Sequence, residues 1–289
     1  MSIKEIAGGA IIEGISHLDL AETLLCGQAF RWREITPGYY RGIVCEEAAE
    51  VHMADGALHI MGATAHSARA TWRNYFDLGT DYGAIKDQLA RHPALADAVR
   101  FAPGIRVLRQ DSWEALISFI ISQNNYVVRI AGIIDRLCRL CGSPIGKGNH
   151  AFPTPDQIAA LELPDLAPLQ AGYRDNYILG AARMVASGQL DLEAVSKLPT
   201  EEARAALTAI RGVGGKVADC ALLYGFHRVE VCPMDVWMKR AMATLFPGGW
   251  PPDVAPVAGI AQQYIFHYAR TCPDALNVDK TDKKEPAHA

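Results

Sequence analysis

The chain has 289 residues, 50% of them apolar and 21% charged, with a formal charge of −4. That is the make-up of an ordinary globular protein, long enough for one large domain or two modest ones. No apolar run approaches the length of a membrane span, and the start MSIKEIAGGAIIEG has neither the basic region nor the long apolar core of a signal peptide, so a cytosolic protein with no targeting signal and no membrane partner is expected.

The seven cysteines (26, 45, 138, 141, 220, 232 and 272) are odd in number and scattered, which suits free thiols in a reducing compartment. Cys138 and Cys141 form a CxxC inside a helical pattern, with no second Cys or His pair nearby to complete a zinc site. An iron–sulfur cluster near the C-terminus is not expected, because only Cys272 lies beyond Cys232. The negative charge weighs mildly against a nucleic-acid partner. Net charge is not local charge, however: Arg129, Arg136, Arg139, Arg174, Lys216, Lys239 and Arg240 all fall inside the segments that carry the motifs below.

From Ile11 to Met61 short alternating runs (FRWRE, YYRGIVC, EVHM, ALHIM) alternate with Gly, Pro and Asp turns, which predicts an antiparallel sheet. From Ser67 onward the period becomes helical: SARATWRNYF, YGAIKDQLARH, ALADAVRF, WEALISFIISQNN, VVRIAGIIDRLCRLCG, YILGAARMVASG, EEARAALTAI, KVADCALLYG, VWMKRAMATLF and AGIAQQYIFHYAR. The expected class is α+β, with an N-terminal antiparallel sheet domain and flanking helices over 1–105 and an all-helical domain over 106–276. The polar tail 277–289 lacks aromatics and is expected to be disordered.

Chemistry concentrates between residues 201 and 246. EEARAALTAI, the turn RGVGG and a helix beginning at Lys216 form a helix-hairpin-helix. Gly212, Gly214 and Gly215 permit positive φ and close approach, and the free N–H groups at the second helix start suit a DNA phosphate. A lone GxG is usually a connector, but the whole unit fits a grip on DNA backbone that ignores sequence. At the positive end of the helix dipole the Lys216 amine should lose its proton more easily, and a neutral amine in a cleft can attack C1′ of a deoxyribose and form a Schiff base. Asp235, after the extended run VEVCPM, is a natural N-cap. Placed across a cleft from the amine it can also stabilise the positive charge that grows as a glycosidic bond breaks.

GVGGKVADC followed by CPMDVW resembles the signature of helix-hairpin-helix DNA glycosylases. With CGQAFRWRE, QDSWEALISFIISQNN, AGYRDNY and AGIAQQYIF, nearly the whole chain is similar to the 8-oxoguanine DNA glycosylase/AP lyase family. The resemblance implies a bifunctional enzyme of base excision repair, a monomer in the cytoplasm that associates with the nucleoid in action. Such an enzyme flips 8-oxoguanine, preferably opposite cytosine, out of duplex DNA, excises it and nicks the strand by β-elimination. It implies Lys216 as nucleophile and Asp235 as catalytic carboxylate. Gly27 then offers the carbonyl that accepts the N7 proton of 8-oxoguanine, Gln262 reads the pairing edge, Phe266 and Cys220 flank the base, and Pro233 belongs to the pocket wall. Asn124 and Arg129 occupy the gap and bond the orphaned cytosine, with Tyr173 as wedge and Arg174 beside it.

No cofactor is required on this reading. The one candidate cation site is the set of hairpin carbonyls of Thr208, Ile210 and Val213, bridging to a phosphate. The chain departs from the family at Trp237, where eukaryotic members carry a histidine near a phosphate, at Tyr126 in place of a third asparagine, and at Gly215 where threonine is common. Two other readings compete with it: a silent DNA-binding module, which needs neither Lys216 nor Asp235, and a glycosylase for another lesion, which Gly27, Gln262 and Phe266 disfavour. A purely structural helical protein has no use for Asn124, Arg129 and Tyr173 together.

Overall fold

The computed structural model describes residues 1–272; the polar tail from residue 277 lies outside them. Six strands open the chain: β1 (Ser2–Ile6), β2 (Gly9–Glu13), β3 (Arg33–Thr36), β4 (Tyr39–Val44), β5 (Glu47–Ala54) and β6 (Ala57–Met61). They pair antiparallel in the order β1-β2-β6-β5-β4-β3. Ile60 stands opposite both Ala10 and Val51, and all three are fully buried, so one sheet face is the core face, as the period of two requires. The short helix α1 (Leu20–Leu24) and the turns α2 (Ala65–Ser67) and α3 (Arg73–Tyr75), joined by a π-helical stretch (Ala68–Trp72), lay Leu20, Leu24, Trp72 and Phe76 on that face.

The run FRWRE is only in part a strand. Phe30 packs into the helical core and Trp32 into the sheet core, so the backbone crosses between two cores before β3 begins at Arg33. Trp32 lies so close to β4 that a Cβ on Gly42 would sit 2.3 Å from its ring.

The helical part comprises α4 (Tyr82–Leu89), α5 (Pro93–Phe101), α6 (Ser112–Ser122), α7 (Val127–Cys141), α8 (Pro155–Ala159), α9 (Arg174–Ala186), α10 (Leu192–Lys197), α11 (Thr200–Thr208), α12 (Gly215–Tyr224), α13 (Val236–Leu245) and α14 (Ala258–Thr271). Asp81, Asp111, Thr154, Asp191 and Asp235 cap helices through their side chains. Although α4 and α5 precede residue 106, Leu89, Leu95 and Val99 join α6, α12 and α14 in the helical core. No helix among the described residues is long and apolar enough to cross a membrane.

Buried polar groups close the joint between the two cores. Arg106, 3% exposed, donates to the carbonyls of Ser16, His17 and Asp77 at 2.9, 3.0 and 2.7 Å. The Asp77 carboxylate, 2% exposed, lies 2.7 Å from Arg109 Nε and 3.4 Å from His227 Nε2. Burial alone would raise its pKa, but the attraction of His227 and Arg109 outweighs that and holds it below the ordinary 3.8. Removing one partner from such a group is costly, so Asp77→Asn should lower stability by about 3 kcal/mol in urea unfolding at neutral pH. A carboxylate whose pKa is depressed in the folded state contributes stability that is complete above the unfolded value and drains away as pH falls through the folded one. The gap between wild type and variant should therefore narrow as pH drops below 3.8.

Candidate active site

The hairpin is built on glycine for two different reasons. At Gly212 φ is +87°, and a Cβ there would lie 2.3 Å from the Tyr177 ring. At Gly214, the extended N-cap of α12, and at Gly215 a Cβ would meet nothing within 4 Å. The first-turn amides of α12 therefore face open space, where an anion can reach them. Arg204 ties α11 to α12 by a 2.6 Å contact from its Nε to Asp219.

Lys216 is the second residue of α12 and is exposed. Its Nζ lies 5.5 Å from the centroid of the Phe119 ring on α6, within cation–π range. Cys220 lies one turn on along α12 and is buried. Burial pushes the Cys220 thiol up to about 11, against the pull of Lys216, and the carboxylate of Asp235 acts on the same thiol. Asp235 does cap α13, its Oδ1 accepting the Met238 N–H at 2.7 Å. Pro233 is buried in the extended run before it.

Tyr224, one turn past Cys220, links this group to the base-pocket residues. Its ring stacks on Phe119 with centroids 5.1 Å apart, and its hydroxyl donates to Gln263 Oε1 at 2.5 Å. The buried Cys26 thiol accepts from Gln28 Nε2 at 3.4 Å and donates to the Thr23 carbonyl at 3.3 Å, in the turn that carries Gly27. Gly27 has φ +92°, and a Cβ there would lie 3.4 Å from Arg270 Nη1 and 3.9 Å from Phe266 Cε1. Fully buried Gln28 fixes that turn, donating to the carbonyls of Thr23 and Arg106 at 2.8 Å each and accepting the Leu108 N–H at 2.9 Å. Gln262 is 4% exposed, and its Oε1 has no hydrogen-bond partner among the described residues. A buried acceptor left so costs about 1–3 kcal/mol, and a donor on a bound molecule would recover it.

The residues expected at the opposite base form a second cluster. The sequence runs QNN on from the helical pattern, yet α6 ends at Ser122 and Asn124 turns left-handed at φ +46°. The cause is Arg174. Only 4% exposed, it donates to the carbonyls of Gln123, Asn124 and Ala171, at 2.9, 3.1 and 2.9 Å. Arg174 is therefore beside the wedge but turned inward, holding the loop that presents Asn124. Its guanidinium lies 4.5 Å over the Tyr173 ring. Tyr173 is 51% exposed and meets Tyr177 edge-on at 5.7 Å, so it leans on the ring that Gly212 packs against. Arg129 is exposed and donates to the Gln170 carbonyl at 3.1 Å. Tyr126 and Trp237, at two of the departures, are both exposed.

Sequence reasoning passed over Phe119, Tyr224, Gln28, Gln263 and Arg270. The first two sit in apolar helical stripes and look like core. The glutamines and the arginine gain meaning only from what they touch. Among the described residues, no group of three or more His, Cys, Asp or Glu side chains is placed to hold a metal ion.

Residues 10–116 match the N-terminal domain of 8-oxoguanine DNA glycosylase, and residues 117–257 match the HhH-GPD superfamily of base excision DNA repair proteins. A probable N-glycosylase/DNA lyase of Methanothermobacter thermautotrophicus is 29% identical over 89% of this chain and 95% of its own length. An N-glycosylase/DNA lyase of Saccharomyces cerevisiae is 30% identical over 78% of this chain and 67% of its own. The solved structure of the Clostridium acetobutylicum 8-oxoguanine glycosylase/lyase, in complex with duplex DNA carrying cytosine opposite 8-oxoguanine, is 34% identical. It covers 94% of this chain and 98% of its own, with a TM-score of 0.87.

Fold and site together define a base excision repair protein built on a helix-hairpin-helix. The chain belongs to the 8-oxoguanine DNA glycosylase family.

Gly212→Ala forces a Cβ into the Tyr177 ring at positive φ. It should cost about 2–3 kcal/mol in urea unfolding and weaken duplex binding. Wild-type values for both would remove the packing role assigned to this glycine.

Proposed function

We propose that this protein is a bifunctional DNA glycosylase and AP lyase that excises 8-oxoguanine, preferably opposite cytosine, from duplex DNA. The observation that carries the reading is Lys216 over the Phe119 ring that stacks on Tyr224, with the buried Gln262, whose Oε1 has no partner among the described residues, next to the Gln263 that Tyr224 bonds.

A purine flipped out of the stack enters between Phe266 and Cys220. The Gly27 carbonyl accepts its N7–H, which guanine lacks; guanine would set a lone pair against the carbonyl and leave two buried acceptors unpaired. The buried Gln262 Oε1 gains a donor from the pairing edge. As the C1′–N9 bond breaks, its electron pair leaves with the base, which takes up a proton, and Asp235 stabilises the positive charge on the sugar. Lys216 bonds C1′ through its amine lone pair and gives up one proton; the C1′–O4′ bond then breaks, O4′ taking up a proton, and the protonated Schiff base is left. Loss of a C2′ proton then expels the 3′ phosphate oxygen and nicks the strand. Meanwhile Tyr173 wedges the duplex, and Asn124 and Arg129 bond the orphaned cytosine, the arginine's planar fork matching its two acceptors. Gly212, Gly214 and Gly215 bring the α12 amides to the backbone phosphate. The carbonyl of Thr208 ends α11 and those of Ile210 and Val213 lie in the turn beyond it; that of Ile210 accepts the Val213 N–H at 3.0 Å and keeps a second lone pair for a cation that would bridge to the phosphate.

Single-turnover cleavage of a duplex with one 8-oxoguanine opposite cytosine tests the assignment. Lys216→Gln should bind that duplex as wild type does yet leave the strand uncut; persistent nicking would sink the nucleophile. Asp235→Asn should slow excision by about a hundredfold or more while leaving stability almost unchanged, because asparagine caps a helix as well as aspartate does. An unchanged rate would reduce Asp235 to a cap. Arg129→Ala should level the rates opposite cytosine and other bases, and an unchanged ranking would strip Arg129 of its role.

A further inference from the structure

Away from these residues, the sheet and the C-terminal half of α7 enclose a cleft of about 490 Å³. Its charged lining is one-sided: Arg31, Arg33, Arg41, Arg139 and Lys147 against the single carboxylate of Asp135, in a chain whose formal charge is −4. Arg31 pairs with Glu114 at 3.4 Å, Arg139 with Asp135 at 2.9 Å and Arg41 with Glu50. No carboxylate among the described residues pairs with Arg33 or Lys147, and both are exposed.

The turn that carries Lys147 is closed by Ile145 N–H to the Asn149 carbonyl at 3.0 Å and Asn149 N–H to the Gly146 carbonyl at 2.9 Å. Gly146, Lys147 and Gly148 are left-handed in succession, at φ +88°, +50° and +74°. A lysine there costs about 1–2 kcal/mol that glycine would not, and its side chain adds charge to a cleft already rich in guanidinium groups. Arg139 follows Arg129 by ten residues along α7, about 15 Å at 1.5 Å per residue, so the cleft is separate from the wedge cluster.

We propose that this cleft is a second anion site, one that takes the phosphate group of a nucleotide, either free or as part of a nucleic-acid strand. Arginine forks and a lysine point charge are the side chains that recognise phosphate, and the volume falls in the range of about 300–1,000 Å³ usual for small ligands. Arg33 and Arg41 belong to β3 and β4, whereas Arg139 and Lys147 belong to the helical part. A bound phosphate therefore bridges the two and raises thermal stability by mass action. The inference does not depend on the glycosylase reading.

The test is calorimetric titration and thermal melting of the full chain with ADP as probe, at low salt. ADP should bind wild type and raise its Tm, and the double variant Arg33→Glu, Lys147→Glu should bind about tenfold or more weakly. Lys147→Gly guards against misfolding: it relieves the left-handed lysine, so it should be at least as stable as wild type and still bind ADP less well. Adding lesion duplex to the Lys216→Gln chain separates the sources. If ADP binding persists, the ligand is a free nucleotide; if a long duplex displaces ADP and a short one does not, it is strand phosphate. No ADP binding to wild type, or wild-type binding by both variants, overturns the proposal.

Discussion

The buried hydroxyl of Tyr224 is the contact on which the site depends. Its ring stacks on Phe119 and its oxygen bonds Gln263, so one side chain fixes α12 against α6 and α14 together. That one side chain therefore holds both the Phe119 ring, which lies 5.5 Å from Lys216 Nζ, and Gln263, the neighbour of Gln262. Burial drives its phenol well above the ordinary value, so the hydroxyl stays protonated and remains a donor. Losing it would leave the buried Gln263 without its partner at Oε1, in a residue whose Nε2 already has none among the described residues.

Around that centre the fold separates holding from presenting. Buried polar side chains bind backbone carbonyls and hold the turns: Gln28 for the Gly27 turn and Arg174 for the Asn124 loop. The groups assigned to DNA stay exposed on those fixed supports, among them Tyr173, Arg129, Asn124 and the open glycines of the hairpin. Arg174 shows the difference most plainly. Sequence reading sets it beside the wedge as a contact, whereas three carbonyls claim its donors and make it the strut that keeps a non-glycine residue left-handed.

Much of this was legible in the residues. The sheet and most of the long helices follow from periods of two and 3.6, and Lys216 and Asp235 follow from a glycine turn and a cap signal in the expected order. What escaped has physical reasons. β1 and α1 are only five residues each, and α8 and α10 five and six, too short for periodicity to register. Phe30 and Trp32 look like a strand because both are apolar, but they serve two different cores. The end of α6 at Ser122 depends on an arginine some fifty residues away, a partnership that no local pattern encodes. Phe119 and Tyr224 carry no mark that distinguishes a site aromatic from a core one.

The most direct measurement is borohydride reduction of the wild-type protein on a duplex with one 8-oxoguanine opposite cytosine, followed by peptide mapping of the adduct. Undamaged and alkylated-base duplexes serve as controls. The prediction is a single adduct, on the peptide containing Lys216, formed on the oxidised duplex alone. An adduct on another amine, or tight binding of the lesion duplex with no adduct at all, would contradict the assignment of Lys216 as nucleophile.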